Sequence, residues 1–249
     1  MSFRESDKAY YKNYYSDKKE IAYVGEQYKD ASRMLVFSEW LRAELKPGAR
    51  VLDIGCGDAI FAELMPEFEW TGVDINTERA TGRIPSDRLV VADLMLPPYA
   101  LEAASFDAII CSEVLEHLWD LRVVHREAKR LLKREGLYVI STPNFDWLQN
   151  HLESYRKIMQ DQTNHWAWEH IRHYNAETHQ KFLNEVGFVV EKHTGADGHF
   201  DPVVANISRV IRERLRALGT DVAECTLHKW CGEAIPHYSH TCIIAARKA

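Results

Sequence analysis

The sequence predicts a doubly wound α/β fold built on a mostly parallel sheet, and three observations make the prediction. Between Arg50 and Ser141, short apolar runs of strand length alternate with helical patterns. Those runs are continuous rather than alternating in polarity, as strands covered on both faces require. The first run ends in Gly55-Cys56-Gly57 and feeds straight into a helix. At 249 residues, 46% hydrophobic and 27% charged, the chain has the size and composition of one large globular domain.

In chain order, Met34, Phe37, Leu41 and Leu45 recur at helical spacing from about Lys29 to Leu45, and Pro47-Gly48 stops the pattern. Arg50 to Ile54 reads as the first strand, followed by a helix through Phe61 to Met65. Trp70 to Asp74, Leu89 to Ala92, Phe106 to Cys111 and Leu137 to Ser141 repeat the strand signal. Between the last two, Leu121, Val124, Ala128 and Leu131 form the apolar stripe of a helix ending before Gly136. The stretch from Thr142 to Tyr174, rich in tryptophan, histidine and tyrosine, is too long for a simple connection and is expected to cover something. Asn175 is placed to cap a helix that Gly187 ends, and Phe188 to His193 reads as a strand. Asp201-Pro202 opens another helix, with Val203, Ile207, Val210 or Ile211, Leu215 and Leu218 as its stripe, and Tyr238 to Ala246 supplies a final strand. With no repeat and no low-complexity linker, residues 1–249 are expected to form a single domain. Its N-terminal 1–46 is expected to form a lid and helix, and 142–174 and 195–236 are expected to be insertions that cover an acceptor site.

The formal net charge of −6 removes any global positive field, so nucleic acid is not the default partner. No apolar run reaches the roughly 20 residues that span a bilayer, and the first fifteen residues are polar and tyrosine-rich, so a cytoplasmic protein without membrane association is expected. Five cysteines with no C-x-x-C pair argue against a disulfide framework or zinc knuckle, and Cys111 and Cys242 read as buried, inert thiols. Ten of the twelve histidines fall after residue 150.

The most informative stretch is Val51-Leu52-Asp53-Ile54-Gly55-Cys56-Gly57-Asp58, where glycines let a ligand approach the backbone and expose amide N–H groups. A dinucleotide fingerprint would need glycine where Ile60 stands, and an acid at Asp53 suits an ammonium rather than a pyrophosphate, which disfavours a nicotinamide oxidoreductase. The segment resembles the first motif of the class I S-adenosylmethionine-dependent methyltransferases. Thr71-Gly72-Val73-Asp74-Ile75 is similar to that family's second strand, Val91-Ala92-Asp93-Leu94 to its third, Phe106 through His117 to its fourth and the loop beyond, and Gly136 through Asn144 to its fifth. The resemblance covers about residues 30 to 194, with Ala59 where many members have a further glycine. It implies a Rossmann-like, seven-stranded sheet with helical covering insertions. It also implies an S-adenosyl-L-methionine site made of Asp53, Gly55, Cys56, Gly57, Asp74, Ile75, Asp93, Leu94 and Ser112. In the family pattern Asp74 takes the ribose hydroxyls, Ile75 packs on adenine and Asp93 takes its amino group.

Methyl transfer to a hydroxyl needs a base near the methyl, and His117, on the loop after the fourth strand, suits that task with His170 as a second candidate. Glu113, Glu116, His117 and His170 together are similar to the magnesium- or manganese-holding set of small-RNA 2′-O-methyltransferases, a chemistry that acidifies a hydroxyl. Packing and helix-start roles for the same histidines stand beside these readings. His165, His173, Trp166 and Trp168 are further wall or contact candidates, and Tyr10, Tyr11, Tyr14 and Tyr15 could close over the site or belong to a loose terminus. Arg209, Arg212, Arg214 and Arg216, with Glu213 among them, make either a solvated face or a grip on an anionic acceptor, and the apolar stripe beside them could serve a homodimer. The expectation is an O-methyltransferase acting on a small polar metabolite such as a sugar, a nucleotide sugar or a natural-product intermediate. A metal-dependent RNA methyltransferase and a non-catalytic cofactor-binding regulator are the rivals.

Overall fold

The computed structural model describes residues 31–150, 172–197, 202–236 and 239–249. A seven-stranded sheet runs in the order β3-β2-β1-β4-β5-β7-β6. Five strands are parallel: β1 (Arg50–Ile54), β2 (Glu69–Asp74), β3 (Leu89–Val91), β4 (Phe106–Ser112) and β5 (Leu132–Pro143). The last one in sequence, β7 (Thr241–Lys248), enters between β5 and β6 (Phe188–Ala196) and runs antiparallel to both. The sheet is therefore mostly parallel and mixed, with its order reversing between β1 and β4. In open α/β sheets that reversal opens a crevice at the carboxyl ends of the two strands.

Two apolar layers hold the sheet between helices. On one face α1 (Ser32–Glu44) and α2 (Ile60–Leu64) bury Val36, Phe37, Leu41 and Phe61 against Val51, Ile110 and Val139. On the other, α3 (Leu121–Leu131) and α5 (Ala176–Val186) bury Val124, Leu131 and Leu183 against Leu52, Ile109, Tyr138 and Phe188. The caps follow the sequence. Asp120 accepts from the Arg122 amide at the start of α3, and Asn175 accepts from the Thr178 amide at the start of α5. Gly187 ends α5 at φ +87°, where the Lys129 ammonium also covers the carbonyl of Val186 at 2.9 Å.

Several elements differ from expectation for physical reasons. β5 begins at Leu132, directly after α3, and its register with β4 slips between Phe106 and Ala108. The residues around Gly136 form that irregularity, with Glu135 at φ +61°. β3 is not covered on both faces: as the edge strand it has three residues, and Val91 is 69% exposed. The Pro202 helix is present as α6 (Pro202–Ala217), but α4 (Phe145–Asn150) and α7 (Glu224–Ala234) are helices that the periodicity did not announce. No helix among the described residues is long and apolar enough to cross a membrane.

Candidate functional site

The turn after β1 forms the floor of the crevice. Gly55, Gly57 and Ala59 hold φ of +75°, +47° and +54°, a backbone that only glycine adopts without strain. A methyl group on Gly55 would collide with Val114, whereas among the described residues nothing lies within 4 Å of the same position on Gly57. The expectation that this turn offers its amides to a ligand needs correction. The Gly55 and Cys56 amides donate to the Val73 carbonyl at 2.8 and 3.3 Å, and the Gly57 amide donates to Asp74 Oδ2 at 3.0 Å. The tightly wound turn satisfies these donors from β2. Cys56 lies in the core, its sulfur against Gly72, so its side chain does not line the crevice. Burial pushes its thiol well up.

Carboxylates stand at the carboxyl ends of three adjacent strands. Asp53 on β1 is only 4% exposed; burial, with the Asp74 charge beside it, pushes its carboxyl up to about 8. Asp74 on β2 is also raised by burial, against which the Gly57, Asn76 and Ile75 amides and the Arg79 cation work. Asp93, beyond β3, accepts from the Met95 amide at 2.9 Å, and half-buried Ile75 and Leu94 flank these acids. Ser112 ends β4, where its hydroxyl donates to Ser141 Oγ at 2.9 Å; Ser141 Oγ in turn donates to Glu113 Oε1 at 2.9 Å. Glu113 itself sits at φ +54°, with its amide bonded to the Ser141 carbonyl at 3.0 Å, so one serine holds this strained residue at both ends.

Beyond Glu113 a single turn, Leu115–His117, carries the remaining candidates. Glu116 is buried, and His117 Nε2 lies 3.8 Å from its Oε1, with the imidazole side chain 20% exposed. Burial and the nearby Glu113 charge raise the Glu116 carboxyl, while Arg33 on α1 opposes the rise at both glutamates. The structure thus brings Glu113, Glu116 and His117 together. His170 lies outside the described residues, as do His165, Trp166, Trp168 and the tyrosines of residues 10–15. Among the described residues no three side chains form a group poised to hold a metal ion. His173 stacks on Phe145 rather than entering this cluster, its ring centroid 6.3 Å away.

Sequence reasoning missed Arg33 and Asp197. Asp197, itself at φ +55°, accepts from Arg33 Nη1 at 3.0 Å, the Arg33 amide at 3.3 Å, Ser32 Oγ at 3.2 Å and Thr241 Oγ1 at 3.1 Å. It caps α1 from the far end of β6, because Ala31 at the N-cap has no side chain able to do so. No local signal in the sequence marks this pairing. The four arginines of α6 lie on an exposed helix, where Arg209 pairs with Glu213, Arg212 with Glu224 and Arg216 with Asp221.

A family model described as a methyltransferase domain matches residues 27–193. The chain belongs to this methyltransferase family. Among curated relatives of this methyltransferase, the ubiquinone biosynthesis O-methyltransferase of Haemophilus ducreyi is 36% identical over 109 residues, which is 39% of this chain and 46% of that protein. Its counterpart in Xanthomonas axonopodis pv. citri is 36% identical over 115 residues, 43% of this chain and 48% of that protein. The chain spans about half the length of the curated relatives it matches. Solved structures share the fold. A SAM-dependent methyltransferase of Archaeoglobus fulgidus aligns with TM-score 0.56 and 23% identity over 86% of this chain and 94% of that one. Phosphoethanolamine N-methyltransferase 2 of Haemonchus contortus aligns with TM-score 0.53 and 19% identity over 85% of this chain and 51% of that one. The methyltransferase's crevice fits the family cofactor: acids at the ends of β1, β2 and β3 surround a turn with open space beside Gly57.

Proposed function

We propose that this methyltransferase moves a methyl group from S-adenosylmethionine to an oxygen of a small polar acceptor, such as a sugar, a nucleotide sugar or a natural-product intermediate. The observation that carries the reading is the row of Asp53, Asp74 and Asp93 at neighbouring strand ends, with His117 and buried Glu116 one strand further on. Two curated relatives named as O-methyltransferases support oxygen as the acceptor atom. When bound, the cofactor supplies an electrophilic methyl on a positively charged sulfur. The chain's own work is positioning and proton removal. Asp53 is placed to pair with an ammonium and Asp74 to accept from a diol. His117 is placed to take the acceptor's hydroxyl proton, so that the oxygen could receive the methyl that the bound cofactor would supply. Glu116 then faces the resulting imidazolium.

A second reading, carried by the family resemblance, has Glu113, Glu116 and His117 hold magnesium or manganese with His170, although among the described residues these side chains form no such group. Titration calorimetry with S-adenosylhomocysteine, with and without manganese, tests both. The expected result is product binding by metal-free protein, followed by methyl transfer to one class in a panel of hydroxylated acceptors, lost in His117→Ala. Manganese uptake abolished by Glu116→Ala would establish the cation reading. No binding of S-adenosylhomocysteine would overturn the function.

A further inference from the structure

The glycine turn and the loop after β2 are tied together twice, in opposite directions. Asp74 reaches back from the end of β2 to the Gly57 amide at 3.0 Å. Asp58, in the turn, reaches forward to Arg79, whose guanidinium meets both carboxylate oxygens, with Nη2 to Oδ2 at 2.6 Å. Arg83 adds a bond from Nη1 to the Asp58 carbonyl at 3.2 Å, and its Nε pairs with Glu63 on α2 at 2.6 Å. The Asp58 and Arg79 side chains are 11% and 19% exposed, so their two-pronged pair is both oriented and poorly screened.

This pairing supplies what the turn lacks. Ala59, a non-glycine at φ +54°, makes the turn costly to hold, and among the described residues nothing lies within 4 Å of where a side chain on Gly57 would stand. A carboxylate at Asp58 left facing the crevice would also repel the amino-acid end of the cofactor, which carries a carboxylate of its own. Arg79 draws that charge aside, and the same cation favours the ionised form of Asp74.

We propose that Arg79 is a positioning residue of the cofactor site: through Asp58 it fixes the glycine turn against the ribose-side acid Asp74, so that both halves of the site form as one unit. This rests on the cofactor reading above, and the test separates the two. Calorimetric titration with S-adenosylhomocysteine is run on the wild type, Asp58→Asn, Arg79→Gln, the double variant and Arg79→Lys, from pH 6 to 8.5. Each single variant is expected to bind about tenfold more weakly, and the double variant no more weakly than the worse single, because both break one link. Arg79→Lys keeps the charge but not the fork, so its affinity falls while the acid limb of its pH profile stays at the wild-type position. In Arg79→Gln the lost cation makes Asp74 harder to ionise, so its affinity falls further below wild type at the acid end of the range than at the alkaline end, a readout that a purely structural role would leave unchanged. Affinities within about twofold of wild type, or losses that add in the double variant, would overturn the proposal. Should circular dichroism show Arg79→Gln unfolded, Asp58→Asn and Arg79→Lys decide by the same criteria. Failure of the wild type to bind sinks the cofactor reading itself.

Discussion

The two sides of the crevice are built by different strategies. On the cofactor side, polar groups are held by partners close in sequence: Gly57 with Asp74, Asp58 with Arg79, Asn76 with Asp74. On the acceptor side, the charges are set by partners 164 residues apart, Arg33 and Asp197, with Thr241 bonding the same carboxylate. A local site is specified by one strand-turn-helix passage and tolerates change elsewhere in the chain. A site assembled across the chain stands only when the whole sheet has closed.

The largest expected effect breaks the distant assembly. Asp197→Ala removes the buried ion pair of Arg33 and the cap of α1 together, and should cost about 3–5 kcal/mol in urea denaturation, far more than Arg209→Ala on exposed α6. Next comes the local turn: Gly55→Ala meets Val114 and should cost about 2–4 kcal/mol, against about 1–2 for Gly57→Ala, which carries only the backbone penalty. Equal losses at the two glycines would show that backbone conformation alone shapes the turn.

A third effect tests whether distant assembly is acid-sensitive. His125 and His179 lie between the sheet and helices α3 and α5, bonded to Tyr138 at 3.1 Å and Thr142 at 2.8 Å, and burial holds both down to about 3. Both imidazoles are neutral in the fold at any pH well above 3, while the unfolded chain takes up protons below its ordinary value of about 6.5. Their contribution is therefore complete above 6.5 and is lost as pH falls toward 3, by about 2 kcal/mol for each ring at pH 5. His179→Gln should lower the slope of denaturation free energy against pH between 6.5 and 4.5 by about 1 kcal/mol per pH unit relative to wild type, whatever the buried carboxyls contribute to both.

The smallest effect belongs to the cofactor side. Asp53, protonated below about 8, is driven to ionise by a ligand's ammonium, so S-adenosylhomocysteine should bind with proton release and tighten as pH rises toward 8. The gain approaches tenfold per pH unit at most, and Asp53→Asn should flatten it in calorimetry repeated in buffers of different ionisation enthalpy.

The same contrast explains what the sequence made legible. Asp53, Gly55, Gly57, Asp74 and Asp93 sit where strand runs end, so spacing alone places them at one sheet edge. The caps at Asn175 and Gly187 were readable because a cap bonds within its own turn. The amides of Gly55 and Cys56 were misjudged because their acceptor, the Val73 carbonyl, belongs to a neighbouring strand. Asp197 and Ser141 carried no signal at all, since a buried polar group that serves a distant element looks like any other polar residue on its own strand. Helix α7 escaped because Leu227, His228, Lys229 and Cys231 are buried together, a pattern with polar side chains inside.

The place of β7 in the sheet has a consequence for how the chain is assembled in time. β6 is made before β7 yet has β7 as its one neighbour in the sheet, and β7 must slide between β6 and the already parallel-paired β5. During synthesis β6 therefore waits, with its backbone unpaired, through the making of α6 and α7. β7 works as a bolt: until it seats, Thr241 cannot reach Asp197, and the half-made protein presents chaperones with one open sheet edge on β5 and one orphan strand.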